Sequence, residues 1–401
     1  MLIVKKFGGS SVADKDRILN VAKRCIEDYK AGHQVVVVLS AMGKTTDGLI
    51  NQAKEINPNP PKRELDMLMV NGEQISVAMM AMAMASLGVH AVSLNAFQVK
   101  MKTTSDYGNA KLKKIGKNRI KRELDNGKIV LVTGFQGVNK FDDYTTLGRG
   151  GSDTTAVALA AALNADACEI FTDVDGVYTA DPRVVPNAKK LEEITYDEML
   201  ELASLGAKVL HNRSVELAKH YGVKVVVRSS LNREEGTVVK EKVKKMEGML
   251  ISGVTADKNV AQISLIGVKD VPGMAYKVFR SLADKNISVD IILQSTGRDD
   301  TKDILFTVAK GDLNEALSVL SEKQEELGIK EIQSDDKIAK VSIVGAGMGT
   351  HADTAANMFE TLYNAGVNMK MIDTSEIRIS VIVDEEEADR AVKALHEAFI
   401  E

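Results

Sequence analysis

One pattern is written twice across residues 262–383, and a single small core does not accommodate it. Gln262–Gly267 (QISLIG) answers Lys340–Gly345 (KVSIVG), and Val278–Leu282 (VFRSL) answers Met358–Leu362 (MFETL). Ile287–Ile292 (ISVDII) answers Val367–Ile372 (VNMKMI). Ile304–Ala309 then answers Ile377–Val383, after a longer loop, Thr296–Lys302, in the first copy. Each copy reads strand, helix, strand, strand, helix, which is a ferredoxin-like plan. Two tandem copies are expected to pair through sheets and helices, leaving clefts suited to a small ligand. The repeat does not say which ligand.

The residues before the repeat have a different rhythm. Up to Val227, short β-branched runs alternate with helical stretches, as an α/β domain with a largely parallel sheet requires. Leu2–Phe7, Gln34–Ser40, His90–Leu94, Ile129–Thr133, Cys168–Asp173 and Val223–Val227 read as strands. Val35–Leu39 is continuously apolar, which implies burial on both faces. Asp16–Lys30, Asn71–Leu87, Asp153–Leu163, Tyr196–Leu205 and Ser214–His220 read as helices. The methionines Met79, Met80, Met82 and Met84 read as adaptable core packing rather than a ligand surface. Leu231–Gly248 is dense in charge and reads as a solvated connection. A chain of 401 residues exceeds one comfortable core, so two or three domains are expected.

Composition removes several classes. Lys+Arg 52 against Asp+Glu 56 leaves a net charge of -4, with no global pull toward nucleic acid or an anionic membrane. Two cysteines, Cys25 and Cys168, are too few for a disulfide framework, and no Cys/His cluster suggests zinc. The longest apolar span, Val77–Val89, is shorter than the ~18–20 residues a bilayer needs. No leader pattern opens the sequence, so a cytoplasmic setting is expected.

Five segments carry chemistry. Lys6-Phe7-Gly8-Gly9-Ser10-Ser11 runs from a strand through paired glycines toward a helix, so main-chain N–H groups and a lysine could hold a phosphate. It is neither a Walker A nor a Rossmann loop, and a plain tight turn fits it too. Ser40–Asp47 (SAMGKTTD) is a second strand-to-turn junction, open to either turn chemistry or binding. Glu73, in a first helical turn, is either a dipole partner or a ligand for an ammonium group. In Thr145–Thr155 (TTLGRGGSDTT), Arg149 offers a fork for a carboxylate beside Ser152 and Asp153. Helix capping explains the Ser-Asp pair but not the glycine-flanked arginine. Thr172–Arg183 (TDVDGVYTADPR) is a polar loop after a strand, where open α/β sheets bind ligands. Its DVDG lacks the other ligands of a calcium loop.

Together, KFGGSS, SAMGKTTD, NGE, GRGGSDTTA and TDVDGVYTADPR resemble the amino-acid kinase family, and within it the aspartokinases. The repeats, with VPGMAYKVF and ISVDIILQS, are similar to the paired ACT modules of that family. The resemblance covers nearly the whole chain. It implies a three-layer kinase domain over residues 1–232, a linker at 233–248, and βαββαβ ACT modules at 249–330 and 331–401. The strand at 249–255 is expected to join the second module's sheet.

The resemblance also implies roles. The reaction would be ATP-dependent phosphorylation of the β-carboxylate of L-aspartate, the first step toward lysine, threonine and methionine. Lys6 would neutralise the transferring phosphoryl group and Asp153 would orient Lys6. Phe7, Gly8, Gly9 and Ser10 would line the phosphate channel. Ser40, Thr46, Glu73, Arg149, Gly150, Gly151 and Ser152 would hold aspartate. Thr172, Asp173, Tyr178, Asp181, Arg183 and Lys208 would border ATP, whose Mg²⁺ would be held by phosphate oxygens and water rather than by a protein metal site.

Lysine or threonine, or both, would bind around Asp270, Gly273, Met274, Val289, Asp290, Ile291 and Gln294. Thr374, Ser375, Glu376 and Ile377 of the other module would complete that interface. A solvated strand-end carboxylate is the plain alternative for Asp290. The resemblance implies a homodimer through the ACT modules or a higher oligomer, and allows a smaller partner made from the same regulatory region. Ser10 stands where the family usually has Thr, and Asn212 follows His211 where Pro is common. Ala352-Asp353 replaces a common Pro-Gly, which argues against a second effector site equivalent to the first. A related kinase acting on glutamate and a non-catalytic amino-acid sensor are the rival readings.

Overall fold

The computed structural model describes every residue except 207–208, 244–250, 296, 298–299, 347, 349–352 and 401. The chain divides into two compact units, residues 1–178 with 190–246, and residues 179–189 with 247–401.

The first unit is built on an eight-stranded sheet. Leu2–Phe7 lies parallel between Gln34–Leu39 and Ala167–Thr172. Ile129–Thr133 and Ala91–Leu94 extend one side, and Val225–Ser229 the other. All five residues of Val35–Leu39 are buried, as expected of a strand covered on both faces. Helices Lys15–Lys30 and Asn71–Ser86 cover one face, packing Ile18, Val21, Val77, Met80 and Met84 on Val35, Val37 and Leu131. Gly151–Leu163 and Asn212–Tyr221 cover the other, completing three layers. A four-stranded sheet of Leu112–Lys114, Lys102–Thr103, Gln136–Val138 and Tyr144–Thr146 is appended.

Three expectations need correction. Residues 233–248 are not simply a solvated linker, because Thr237–Lys240 is a sheet strand. It runs antiparallel to Val225–Ser229 and parallel to Glu193–Thr195, with Thr237 and Val239 turned inward. Only Met80 and Met84 of the methionine stripe are core, while Met79 and Met82 are 45% and 59% exposed. A helix apolar on all sides has more oily surface than one sheet can cover. Lys62–Ser86 also exceeds the apolar span read from the sequence, being long and apolar enough by length and composition to cross a membrane. In the fold it carries the buried carboxyls Asp66 and Glu73 and core residues of the first unit.

The second unit is one six-stranded antiparallel sheet that belongs to both repeats. Its centre is two long strands, Gly253–Lys269 and Glu331–Val344. Gly253–Asp257 pairs with Lys340–Val344, and Gln262–Ile266 pairs with Glu331–Asp335. Each long strand therefore serves one repeat with its first half and the other with its second. Val289–Gln294 and Met371–Ser375 are the sheet edges. Thr179–Lys189 joins this unit through packing: Ala180 and Val185 enter the apolar cluster of Val254, Val341 and Leu395. The Val254 amide donates to the Thr179 carbonyl at 2.7 Å.

Candidate functional site

In the first unit the carboxyl ends of the strands deliver the expected residues to one sheet edge. Leu2–Phe7 ends at Gly8, Gln34–Leu39 at Ser40, Ile129–Thr133 at Gly134 and Ala167–Thr172 at Asp173. Lys6 and Asp153 meet there, Nζ to Oδ1 2.6 Å, with both side chains largely covered. Asp153 reaches the lysine because helix Gly151–Leu163 starts against the strand ends. A Cβ on Gly134 would lie 2.5 Å from the Ser152 hydroxyl.

Glycine is required at two points. A Cβ on Gly9 would sit 2.7 Å from the Ala41 carbonyl, so a side chain would push apart the two loops after adjacent strands. These loops also join directly, the Gly43 amide donating to the Gly9 carbonyl at 3.0 Å. Gly150, at φ +67°, caps helix Gly151–Leu163, and a Cβ there would strike the His211 ring at 2.2 Å.

Glu73 is 3% exposed. Its Oε1 accepts from the Ala41 amide at 3.1 Å, whereas Oε2 is buried without a hydrogen-bond partner. Burial, only partly offset by main-chain hydrogen bonds, pushes this carboxyl up to about 7. Such a group calls for a cationic donor from outside. Ser40 lies beside it and its carbonyl accepts from the Ser76 hydroxyl at 2.7 Å. Thr46 is in the first turn of helix Thr45–Ile56. Arg149 is exposed at the turn entering helix Gly151–Leu163, four residues from the aspartate that grips Lys6. Phe7 is buried, while Ser10 is exposed and its carbonyl accepts from the Arg17 guanidinium.

The expected nucleotide residues are divided. Thr172, Asp173 and Tyr178 belong to the first unit, where the Thr172 hydroxyl donates to Asp173 at 2.8 Å and Tyr178 to Asp175 at 2.9 Å. Asp181 and Arg183 belong to the second unit and pair with each other at 2.6 Å. Lys208 lies outside the described residues. Among those residues, no cluster of three or more His, Cys, Asp and Glu could hold a metal ion.

Several supports have no sequence signature. Buried Asp66 accepts from the Thr146 amide and hydroxyl (2.9 and 2.7 Å) and from the Gly108 amide at 2.9 Å. Arg213 donates to the carbonyls of Leu147 and Ala110, both at 2.8 Å. Both anchor the approach to the GRGG turn.

In the second unit, Gly273 adopts φ +92° ahead of helix Met274–Ala283, whose first residue, Met274, is buried. Asp270 pairs with Lys302 at 2.9 Å. Val289, Asp290, Ile291 and Gln294 lie on one edge strand, with Ile291 turned inward. Thr374 and Ser375 end the opposite edge strand, and Glu376 and Ile377 form its turn. Four strands separate the two sets within the sheet order. Asp290 is held by Lys340 of the central strand, an internal ammonium where the sequence reading expected an external one.

Known proteins agree with this architecture. Residues 1–229 match the family model described as "Amino acid kinase family", and residues 263–324 and 341–399 match the "ACT domain" model. An aspartokinase of Mycolicibacterium smegmatis is 50% identical over 403 residues, covering 99% of this chain and 96% of its own. E. coli aspartokinase III in complex with aspartate and ADP is 27% identical, at TM-score 0.84 with full coverage of both chains. The same E. coli protein in complex with lysine and aspartate gives a TM-score of 0.80 at 27% identity, again over both full chains. The glycine-lined strand ends, the Lys6–Asp153 pair, the paired ACT repeats and identity over the full length agree: this chain belongs to the aspartokinases, a branch of the amino-acid kinase family.

Proposed function

We propose that the protein transfers the γ-phosphoryl group of ATP to the β-carboxylate of L-aspartate, releasing ADP and 4-phospho-L-aspartate. The single observation that carries this reading is Glu73: a buried carboxyl with one unpartnered oxygen, beside a glycine-lined strand edge. The ammonium of an amino acid supplies what it lacks, and the Arg149 guanidinium takes the α-carboxylate. Ser40, Thr46, Gly150, Gly151 and Ser152 complete the aspartate pocket.

The acceptor needs no general base, because a β-carboxylate with an ordinary pKa near ~4 is already ionised. A β-carboxylate oxygen attacks the γ-phosphorus as the bond to the ADP oxygen breaks. Lys6, steered by Asp153, offsets the charge gathering on the phosphoryl oxygens. Phe7 to Ser10 line the phosphate path, and Thr172, Asp173 and Tyr178 of the same unit border the nucleotide. Mg²⁺ arriving with ATP would supply charge neutralisation on the phosphates beside Lys6. The setting is cytoplasmic, at the head of lysine, threonine and methionine synthesis.

The effector is lysine, threonine or both, bound at the Asp270–Gln294 region, where its ammonium must displace Lys340 from Asp290. The residues 374–377 lie at the opposite sheet edge, so a second copy of the ACT region is the natural supplier of that half of the site. This supports a homodimer or higher oligomer, or pairing with a shorter chain made from the same regulatory region.

Incubation with ATP, Mg²⁺ and single amino acids, with hydroxylamine trapping any acyl phosphate, tests the reaction. Hydroxamate with aspartate alone is the expected result. Turnover with glutamate instead, or none at saturating substrates, defeats the reading.

A further inference from the structure

The nucleotide edge has a support that none of the sequence motifs contains. Helix Lys15–Lys30 starts just after the Lys6–Ser11 loop and runs beneath the sheet. Near its middle, Arg24 is only 5% exposed, yet its guanidinium is directed to main-chain oxygens. It donates to the Ser229 carbonyl at 2.6 Å and to the Asn232 carbonyl. One turn earlier, Asn20 donates to the Ser230 carbonyl at 3.2 Å. Three carbonyls of one turn are thus held from a single helix. That turn in turn holds the Thr172 carbonyl, through the Ser230 amide (2.9 Å) and hydroxyl (3.2 Å).

The same guanidinium lies 4.7 Å from the centroid of the Phe171 ring, which stacks on Phe7 at 4.4 Å and 7°. Phe7 separates Lys6 from Gly8, and Phe171 precedes Thr172. One side chain therefore bears on both strand ends that flank the nucleotide region. A buried guanidinium is expensive to desolvate, and an apolar residue would fill the space more cheaply. What an apolar residue cannot do is span two carbonyls with a planar fork.

We propose that Arg24, aided by Asn20, is a positioning residue for the nucleotide. It fixes the Ser229–Asn232 turn and, through Ser230, the height of the Thr172–Asp173 edge against which ATP lies. The inference rests on the nucleotide reading of Thr172 and Asp173.

Calorimetric titration with ADP and steady-state kinetics on the full chain test it, using Arg24→Met and the milder Asn20→Leu. Loss of charge-assisted hydrogen bonds predicts a rise of roughly tenfold in the ADP Kd and the ATP KM for Arg24→Met, and loss of one neutral hydrogen bond a rise of a few fold for Asn20→Leu. The aspartate KM and kcat stay within about twofold. Arg24→Lys, which keeps the charge but not the fork, is expected to recover only part of the loss. Unchanged nucleotide affinity in Asn20→Leu and any folded Arg24 variant overturns the proposal. So does a parallel change in ADP Kd, aspartate KM and kcat, which marks a merely structural residue. If Arg24→Met does not fold, Asn20→Leu carries the test alone. Wild-type protein that binds no ADP removes the nucleotide reading itself, whereas ADP binding without acyl phosphate removes only the aspartate reading.

Discussion

The ion pairs at the two candidate sites, one in each unit, treat buried charge in opposite ways. In the first, Lys6 and Asp153 are equally shielded, each side chain 12% exposed, and helix Gly151–Leu163 holds the aspartate in place. In the second, the cation is hidden and the anion faces out: the Lys340 side chain is 5% exposed, its partner Asp290 47%. Asp270 and Lys302 repeat that asymmetry, at 44% and 12%. A symmetric shielded pair is a fixed electrostatic device, already aimed before substrate arrives. An asymmetric pair at a sheet edge offers its carboxylate to a competing ammonium. On the proposed function, catalysis uses the first kind and regulation the second.

Breaking the fixed pair should give the largest effect. Lys6→Met keeps the side-chain volume and removes the charge, so kcat is expected to fall by roughly 10³-fold or more, with little change in aspartate KM. Hydroxamate production at saturating substrates measures it. A kcat near that of the wild type would take Lys6 out of the mechanism.

Glu73 sharpens the comparison, being a fixed group still lacking its partner. Its carboxyl, pushed up to about 7 by burial, holds a proton that the unfolded chain, with a value near 4.5, releases. The native state thus binds the extra proton between those values, and stability of the ligand-free protein falls as pH rises from 4.5 through 7. Glu73→Gln removes that penalty, so the variant should gain of order 1–3 kcal/mol at pH 8 and little at pH 5. Function moves the other way. An ammonium needs the ionised form, so the wild-type aspartate KM should climb as pH drops below 7. In Glu73→Gln it should be raised roughly 100-fold with that pH dependence lost. A variant both less stable at pH 8 and normal in KM would contradict the assignment.

Much of this was legible in the sequence, for identifiable reasons. Val35–Leu39 is apolar at every position, which only a doubly covered strand tolerates. The paired glycines after Phe7 and the glycines around Arg149 stand out in the sequence, whereas the collisions that require Gly9 and Gly150 exist only in the fold. The repeats announce two modules. What stayed hidden depends on contacts far apart in the chain. The short run Thr237–Lys240 has charged neighbours and becomes a strand only because Val225–Ser229 and Glu193–Thr195 flank it. Ala180 and Val185 look like loop residues until they pack with Val341 and Leu395. Lys340 and Asp290 stand fifty positions apart, and nothing local pairs them.

That last pair gives the smallest effect and the most discriminating one. Removing either partner breaks the same ion pair, yet the two changes are not equivalent. Asp290→Asn strands an ammonium with a 5% exposed side chain, so it should lower the melting temperature as well as weaken the response to a cationic amino acid. Lys340→Met leaves only a half-exposed carboxylate, which water can solvate. It should be nearly neutral in stability and in uninhibited kcat. It should also lower the half-saturating lysine concentration a few fold, because the effector no longer has to evict an internal competitor. Initial rates across a lysine titration, with threonine in parallel, measure both variants. Equal destabilisation by the two, or a weaker lysine response in Lys340→Met, would mean that the exposed carboxylate is not the surface an effector reads.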